Sequence, residues 1–474
     1  MAMTATTMSP VMVVQSVAGG PGHYVAAVEA TFDVADCAGV DNCYGFLMLE
    51  ACPDAACTTK TTDFRSPTRG PMTQLLPYQY VFTPTGTKAW HLLEITAPAG
   101  TSVVRVGWTM ATTGSATLHS VCVNKVDSYD GLVWVMDRYY SHFGRAASLD
   151  WPAAVAAARP DASTEGRPLA EAVAGLTAQL QDPHTYVRYG QDILGYVEGP
   201  ARNIKSDLLP LAGATRVPQD ASVGATATTE VGGKRYAYVV VASLQFPEYW
   251  SGASGFQNVV YSAITASGIE GVILDLRGNG GGQENLGSMI SGQFTDQAVM
   301  YAQHEYRAGV GHDSFGARTD RTLAAGSAVF GASFQHYQGK VAVLLGPGCM
   351  SSCDGMAMQL QALAAREPAR FRSFGAATRG ASGNPAQIDL SADTNIVFST
   401  WRAFTSAGAA LEGIGVAPDQ AVAWPQDPTE DVIIAAAAAW LGEAGGTTAA
   451  PGGGGDSTTT ATTAGGQTTT TTTA

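Results

Sequence analysis

The sequence predicts an α/β protein with an all-β sandwich domain before its α/β core, because the spacing of apolar residues changes twice along the chain. Up to about residue 124, apolar and polar residues alternate in short runs, which is typical of β-strands. From about residue 126 to 190, the apolar residues recur at helical spacing. From about residue 234 onward, apolar runs end in glycine-rich turns and helical segments follow them, which is typical of mostly parallel strands.

Residues 12–124 form the predicted β-sandwich domain. Alternation is clear in residues 24–32 and 101–108, and glycine, proline, asparagine and aspartate interrupt the runs at short intervals. Modules of this kind often bind carbohydrate, but the sequence shows no cluster of aromatic residues that supports such binding. A structural or docking role is an equal alternative.

The remaining chain divides into a helical part, a core and a tail. Residues 125–190 are predicted to be helical, with one helix capped by Asp150 and another ending at Asp182, which precedes a proline and is therefore disfavoured in a helix. Residues 191–442 are predicted to form the α/β core. Residues 443–474 are rich in glycine and threonine, which predicts a disordered tail.

Composition limits the possible partners and the compartment. The net charge of -14, from 40 acidic and 26 basic residues, argues against nucleic acid or an anionic membrane as the partner. No run of 18 or more apolar residues predicts a membrane span. Only 14% of residues are charged, while small residues abound, which favours an extracellular protein. The first residues show no basic and apolar segments of a signal peptide, so this expectation rests on composition and cysteines.

The cysteines also favour an oxidising compartment. Short separations predict disulfides in such a compartment, with buried free thiols as the alternative. A zinc site is less favoured, because no cysteine pair has histidine partners at finger-like spacing. The seven cysteines are Cys37, Cys43, Cys52, Cys57, Cys122, Cys349 and Cys353.

A glycine-rich turn follows a predicted buried strand in the segment GVILDLRGNGGG, residues 271–282. Glycines there let backbone N–H groups approach a ligand, so the turn suits a phosphate cradle or an oxyanion hole. The spacing does not match the dinucleotide fingerprint, and no Lys-Ser/Thr pair follows as in a P-loop. An oxyanion hole is the better functional interpretation, beside the plain alternative of a tight strand-to-helix turn.

A second strand-to-helix turn contains two adjacent serines, in the segment VAVLLGPGCMSSCDGMA, residues 341–357. A hydroxyl at a helix N-terminus is favoured as an alkoxide by the helix dipole, and the next backbone N–H can donate to an oxyanion. From the residues alone, the alternative is that Ser351 or Ser352 is an N-cap.

Four motifs occur in one order along the chain, and a fifth segment lies between the last two. They are LQDPHT (180–185), LDLRGNGGG (274–282), GCMSSCDG (348–355) and LEGIGVAPD (411–419), with GAATRG at 375–380. Together they resemble the tail-specific (C-terminal processing) serine protease family, in its tricorn-core-like branch, over residues 126–425 or so. The resemblance implies a ClpP/crotonase-like α/β core with a helical cap, made by residues 125–190. It also implies peptide-bond hydrolysis without a metal or other cofactor.

The resemblance assigns a role to each matching residue. Serine needs a base to remove its proton, and the base needs an orienting group. Ser351 aligns with the nucleophile, His184 with the general base and Glu412 with the acid that orients the histidine. One of Gly280 and Gly281, together with the N–H of Ser352, would form the oxyanion hole. We therefore expect a secreted serine endopeptidase whose partners are protein or peptide substrates; its oligomeric state stays open.

Two departures from family patterns affect the mechanism and the substrate. Many members use a Ser-Lys dyad, but no lysine follows Lys340, and the expected neighbourhood holds Arg379, which cannot act as a base. The histidine-dependent triad is what remains. Many relatives also carry a peptide-binding PDZ module, for which residues 186–235 are too short.

Neighbours of the serine have predicted supporting roles. Cys349 and Cys353 flank Ser351 at a separation that one helical turn bridges, and a disulfide between them would rigidify the turn. Asp354 is expected to support the helix N-terminus rather than to take part in catalysis.

Two other functions compete with the peptidase. The same fold occurs in retinoid-binding relatives that have lost peptidase activity, so a non-catalytic binding protein is one alternative. A crotonase-type acyl-CoA enzyme is the other. The presence of Ser351, His184 and Glu412 together favours the peptidase.

Overall fold

The structure is a computed structural model, and it describes most of the chain. The described residues are 2–5, 12–34, 45–54, 64–65, 79–81, 88–97, 99–110, 114–126, 128–161, 163–211, 214–216, 223–250, 255–308, 311–391 and 393–443. The predicted tail beyond residue 443 lies outside them, as do Cys37, Cys43 and Cys57. No helix in these ranges is both long enough and apolar enough to span a membrane.

The N-terminal region consists of strands in two antiparallel sheets, with orders β1-β9-β3-β7-β5 and β2-β8-β4-β6. The strands are β1 (Ala2–Ala5), β2 (Met12–Ala18), β3 (Gly22–Val34), β4 (Gly45–Cys52), β5 (Phe64–Arg65), β6 (Gln79–Val81), β7 (Lys88–Ala97), β8 (Val103–Met110) and β9 (Gly114–Lys125). Successive side chains of β8 point to opposite faces of the sheet. Val104 and Val106 are therefore fully buried on one face, while the intervening Arg105 pairs with Glu50.

Three helices follow: α1 (Tyr129–Tyr139), α2 (Trp151–Ala158) and α3 (Gly166–Ala178). Side-chain caps start the first two, because Ser128 accepts from the N–H of Gly131 and Asp150 from that of Ala153. The predicted cap at Asp150 is therefore confirmed. Helix α3 ends before Gln181, which has a positive φ of 54°.

The core follows the helices. Its strands are β10 (Tyr186–Tyr189), β11 (Asp192–Leu194), β12 (Thr215–Arg216), β13 (Gly224–Val231), β14 (Lys234–Val241), β15 (Gly271–Asp275), β16 (Val299–Tyr306), β17 (Thr319–Leu323), β18 (Val341–Leu345), β19 (Phe371–Gly375), β20 (Ala386–Asp389), β21 (Thr394–Phe398), β22 (Trp401–Thr405) and β23 (Gln420–Ala421). Its helices are α4 (Phe256–Ile264), α5 (Glu284–Ser291), α6 (Gly326–Phe330), α7 (Ser352–Arg366) and α8 (Val432–Gly442).

A seven-stranded mixed sheet forms the centre, in the order β12-β13-β14-β15-β18-β19-β23. The strands from β14 to β23 are parallel, as the sequence predicted, while β12 and β13 extend one edge antiparallel. Side chains alternate between its faces: Val272 and Leu274 pack with α4, α5 and α7, whereas Ile273 packs with α8. The α/β fold class is confirmed.

Two smaller sheets complete the core, with orders β11-β10-β21-β20 and β17-β16-β22. The first matters for the site, because helices α1 to α3 share one apolar cluster with Ile388, Ile396 and Phe398 of β20 and β21. The helical region is thereby fixed to the core near residue 184.

The parallel pairing of β15 with β18 positions the two predicted turns. Val272 lies beside Val341 in register, so both strands end at the same edge of the sheet. The glycine-rich turn after β15 and the serine turn after β18 therefore meet, as the carboxyl ends of parallel strands do.

Candidate active site

Ser351 occupies the N-cap position of α7 with an unusual backbone. Its φ of 61° and ψ of −127° are strained for a non-glycine residue, at a cost of about 1–3 kcal/mol. Its side chain makes no capping hydrogen bond, so the N-cap alternative does not account for the hydroxyl. Its backbone N–H donates to the carbonyl of Ala381 at 2.8 Å, which helps to hold this conformation.

The adjacent serine has a different environment. The hydroxyl of Ser352 donates to the carbonyl oxygen of Gly282 at 2.7 Å and is thereby committed to the glycine-rich turn. Its backbone N–H lies in the first turn of α7, where such groups have no partner within the helix. Of the two hydroxyls, that of Ser351 is the one left available for chemistry.

The glycine-rich turn packs directly against Ser351. A Cβ on Gly281, whose φ is 95°, would lie 2.6 Å from the Cβ of Ser351, so only glycine fits. The N–H of Gly281 donates to Oδ1 of Asn279 at 2.8 Å. The exposed Gly280 has open space around it.

Two further features brace the turns. Cys349 and Cys353, both fully buried, form a disulfide that spans Ser351, so this predicted pair is confirmed. Under the glycine-rich turn, the buried guanidinium of Arg277 bonds to Asp275 at 2.6 Å and to Asp431 at 2.8 Å. A buried cation with two hydrogen-bonded carboxylates fixes the start of the turn.

His184 sits in a turn that its own motif builds. Oδ1 of Asp182 accepts from the backbone N–H of His184 at 3.0 Å, and Oδ2 accepts from the hydroxyl of Thr185 at 2.8 Å. The imidazole is buried, and its Nδ1 has no hydrogen-bond partner. Burial lowers the pKa of His184, although the carboxylate of Asp182 partly opposes the shift. The neutral form, which a general base requires, is therefore favoured.

Glu412 is buried close to His184. Its Oε1 accepts from the backbone N–H groups of Ser382 at 3.1 Å and Gly383 at 3.0 Å, whereas its Oε2 has no hydrogen-bond partner. Burial, together with the negative charge of Asp182, raises the pKa of Glu412 to about 8. A Cβ on Gly383 would lie 3.2 Å from Nδ1 of His184, so this glycine, whose N–H bonds to Glu412, also lies beside the imidazole.

Residues 380–384 connect Ser351, the predicted nucleophile, to His184 and Glu412, the predicted base and acid. Ala381 binds the N–H of Ser351, and Gly383 contacts the other two side chains. Asp354 in the first turn of α7 accepts from the N–H groups of Gly380 at 3.1 Å and Ala381 at 3.0 Å. The role of Asp354 is thus to hold these residues against α7. Burial raises the pKa of its carboxyl to about 6.

The three predicted catalytic side chains meet in one region without direct bonds between them. All three are described, and no hydrogen bond joins Ser351 to His184 or His184 to Glu412. Catalytic hydrogen bonds are often long in proteins without substrate and tighten when it binds.

A cavity of about 520 Å³ lies beside this region. It is bounded by the turn before His184, by the segment after β18 and by the residues next to Glu412. Arg379 lies on its wall and donates to the carbonyl of Val197 at 2.8 Å. The lining residues are Arg145, Gln181, Pro183, Val197, Glu198, Pro200, Pro347, Ala376, Ala377, Thr378, Arg379, Gly413 and Ile414.

Comparison with known proteins identifies the domain that carries the two turns. Residues 235–422 match the family model described as peptidase family S41. These residues are a peptidase family S41 domain. The protein is therefore a serine-type peptidase, and the predicted resemblance is confirmed at the level of the family.

Three solved structures are similar to this chain, and the first, with a TM-score of 0.55, shares its fold. A candidate peptidase from Parabacteroides merdae has 20% sequence identity and a TM-score of 0.55, over 67% of this chain and 97% of its own. The photosystem II D1 C-terminal processing protease has 15% identity and a TM-score of 0.40, over 65% and 95% of the two chains. Mature CPAF has 12% identity and a TM-score of 0.47, over 66% and 94%. A search of curated proteins gives no significant match.

The S41 match contains most, but not all, of the predicted site. Ser351, Glu412 and the glycine-rich turn lie inside residues 235–422, whereas His184 lies before them. The place of His184 in the S41 site therefore rests on its motif and on its contact with Gly383.

Sequence reasoning missed two side chains that face Glu412. Nε2 of His142 lies 3.7 Å from Oε1 of Glu412, and Nη1 of Arg145 lies 4.0 Å from Oε2. Both belong to the segment after α1, for which the spacing of apolar residues predicted only a helical region. Two basic residues in an otherwise small and apolar stretch were the only signal available.

Proposed function

We propose that this S41 peptidase is a secreted endopeptidase that cleaves peptide bonds through an acyl-enzyme on Ser351. His184 takes the hydroxyl proton while the Ser351 oxygen attacks the peptide carbonyl carbon. The resulting oxyanion is stabilised by backbone N–H groups. The C–N bond then breaks as His184 returns the proton to the leaving amine, and water hydrolyses the ester by the same steps.

One observation carries the choice of nucleophile. The Ser351 hydroxyl is uncommitted, on a strained backbone at the N-terminus of α7, whereas the adjacent Ser352 hydroxyl is bonded to Gly282. Strained backbone persists where the surroundings enforce it, and it is concentrated at active sites. The helix dipole also stabilises the negative charge that develops at Ser351.

The donor pattern supports Gly280 rather than Gly281 as the partner of Ser352 in the oxyanion hole. The N–H of Gly281 is already bonded to the Asn279 side chain, while Gly280 is exposed with space around it. The N–H of Ser352 follows the nucleophile directly. Two donors on neighbouring turns can then converge on one oxyanion.

Burial supports His184 as the base and Glu412 as its orienting acid. The pKa of His184 is lowered by burial, which keeps the imidazole neutral and able to accept a proton. Glu412 and His184 each have an atom without a partner, and both contact Gly383. A small closure on substrate binding would join Oε2 to Nδ1.

The composition and the cysteines support an extracellular compartment. A chain with 14% charged residues and a disulfide beside its nucleophile suits an oxidising environment. The substrates in our proposal are proteins or peptides.

Hydrolysis of casein and of a quenched fluorescent peptide tests this proposal. We compare the wild type with Ser351→Ala, His184→Ala and Ser352→Ala. The first two are expected to lose at least about 10³-fold in kcat, because triad members act as a unit. Ser352→Ala keeps the backbone N–H, so a smaller loss is expected. If Ser352→Ala loses hydrolytic activity while Ser351→Ala retains it, Ser352 is the nucleophile. An inactive wild type would favour the binding-protein alternative.

A further inference from the structure

Several buried polar atoms without hydrogen-bond partners surround Glu412, where the helical region meets the core. Within the described residues these atoms are His142 Nε2, Arg145 Nη1, His184 Nδ1 and Glu412 Oε2. Buried polar atoms in proteins are nearly always bonded, so their concentration in one place requires an explanation. The mechanism proposed above uses only His184 and Glu412.

His142 faces the carboxyl group of Glu412 at close range. Nε2 of His142 lies 3.7 Å from Oε1, and the two side chains are only 2% and 8% exposed. This distance exceeds a hydrogen bond by about half an ångström, which a small rotation of the Glu412 side chain closes. A neutral imidazole carries one N–H, and on Nε2 that hydrogen points at the carboxyl group.

The charges around the pair oppose an isolated Glu412 carboxylate. Burial disfavours its charge, Asp182 and Asp354 repel it and Arg145 attracts it, so the pKa of Glu412 is raised to about 8. The buried Tyr140 hydroxyl, whose pKa is raised by burial, also lies near Asp182 and Glu412. An acid that must be ionised to stabilise a protonated His184 therefore needs another hydrogen-bond donor.

His142 meets this need without bringing a second positive charge. Asp182, Arg145, His184 and Arg402 face it, and its burial lowers the pKa of His142 to about 4. The imidazole is neutral near pH 7 and donates as a neutral group.

We propose that His142 is a positioning residue, whose Nε2–H donates to the Glu412 carboxylate, favours its ionised form and directs it toward Nδ1 of His184. This inference rests on the proposed role of Glu412 as the orienting acid. Arg145 reaches the other carboxylate oxygen from the same segment, with Nη1 at 4.0 Å. The segment after α1 thus contributes to the acid–base half of the site without touching substrate.

Loss of the His142 N–H should move the pH–rate profile of peptide hydrolysis toward higher pH. Without this donor Glu412 keeps its proton to higher pH, so the rising limb of the pH–rate profile moves upward. A hydrogen bond to a charged group corresponds to a displacement of about one pH unit or more. At pH 7 we expect kcat to fall about tenfold, with KM changed less than about twofold.

The test compares three variants of the full-length chain by pH–rate profiles on the quenched fluorescent peptide. His142→Phe keeps a ring but has no N–H, and His142→Asn has an amide too short to reach Glu412; both are expected to displace the limb. His142→Gln places an amide N–H near the position of Nε2 and is expected to restore the profile. If the phenylalanine variant does not fold, the asparagine–glutamine pair decides the question.

His312→Phe is the matched control. His312 stacks on Phe143 at 3.7 Å and is one-third exposed, so phenylalanine retains the ring contact. The substitution removes the contact of Nε2 with Asp137 at 3.1 Å, which does not involve Glu412, so the profile should not change. An active wild type with unchanged profiles in both His142→Phe and His142→Asn would overturn this inference alone. An inactive wild type would remove the proposed function and this inference together.

Discussion

Around Ser351 the two turns are held by hydrogen bonds, ion pairs and a disulfide, whereas around Glu412 and His184 several buried atoms have no hydrogen-bond partner among the described residues. The serine half is braced by the Cys349–Cys353 disulfide and by the ion pairs of Arg277. The acid–base half is assembled from the helical region and from residues 380–384. In our proposal, the nucleophile is therefore set in place before substrate binds, and the acid–base pair closes afterwards.

Replacing Glu412 by glutamine tests the acid–base half of the site. Of the substitutions considered, it should lower kcat the most. Glutamine removes the charge that stabilises protonated His184, so kcat should fall by about 10³–10⁴-fold, as for the acid of other triads. Peptide hydrolysis at about pH 9, above the Glu412 pKa of about 8, measures this loss. A loss below tenfold would remove Glu412 from the catalytic group.

The same substitution should increase stability at alkaline pH. The pKa of Glu412 in the folded protein is about 8, above the 4.5 of the unfolded chain. Between these values the folded state holds more protons than the unfolded state, so stability falls as pH rises from 4.5 to 8. A pKa difference of one between the two states corresponds to about 1.4 kcal/mol, so Glu412→Gln should be more stable than the wild type at pH 8.5 by a few kcal/mol. Urea unfolding at about pH 4.5 and pH 8.5 measures the difference in unfolding free energy between the variant and the wild type. The same difference at both pH values would contradict a raised pKa of Glu412.

The serine half can be disrupted by one methyl group. Gly281→Ala places a Cβ 2.6 Å from both the Ser351 Cβ and the Met350 carbonyl, on a backbone with φ of 95°. Displacement of Ser351 should lower kcat by about 10²-fold, since small misplacements have large catalytic costs. Thermal unfolding and peptide hydrolysis measure the change. Gly280→Ala meets no atom within 4 Å and should keep the wild-type Tm; an equal fall in Tm would show that alanine, not the clash, is responsible.

Removal of the disulfide should have a smaller effect. The Cys349→Ser, Cys353→Ser double variant loses a short cross-link, for which a stability loss of about 2 kcal/mol is expected. Ser351 then leaves its strained conformation more often, and we expect kcat to fall about tenfold. Urea unfolding and hydrolysis test both effects. Cys122→Ser, at the free cysteine of β9, is the control and should match the wild type.

The two halves also differ in how far the sequence predicted them. The meeting of Gly281 with Ser351 could be predicted, because both follow neighbouring parallel strands and local motifs mark both turns. The disulfide followed from a separation of four residues. These features depend on short-range sequence and on one sheet.

The approach of His142 to Glu412 could not be predicted in the same way. The two residues are 270 positions apart, and they meet because the helical region shares an apolar cluster with β20 and β21. The spacing of apolar residues predicts which face of a helix is buried. It does not predict which residues the segment after the helix contacts. The choice between Gly280 and Gly281 likewise needed the bond from Gly281 to the Asn279 side chain.

Mass spectrometry of the protein after reaction with a fluorophosphonate tests the central claim most directly. A preset nucleophile activated by His184 predicts one adduct, located on Ser351, absent in Ser351→Ala and formed much more slowly in His184→Ala. An adduct on Ser352, or equal labelling of the wild type and Ser351→Ala, would contradict the account.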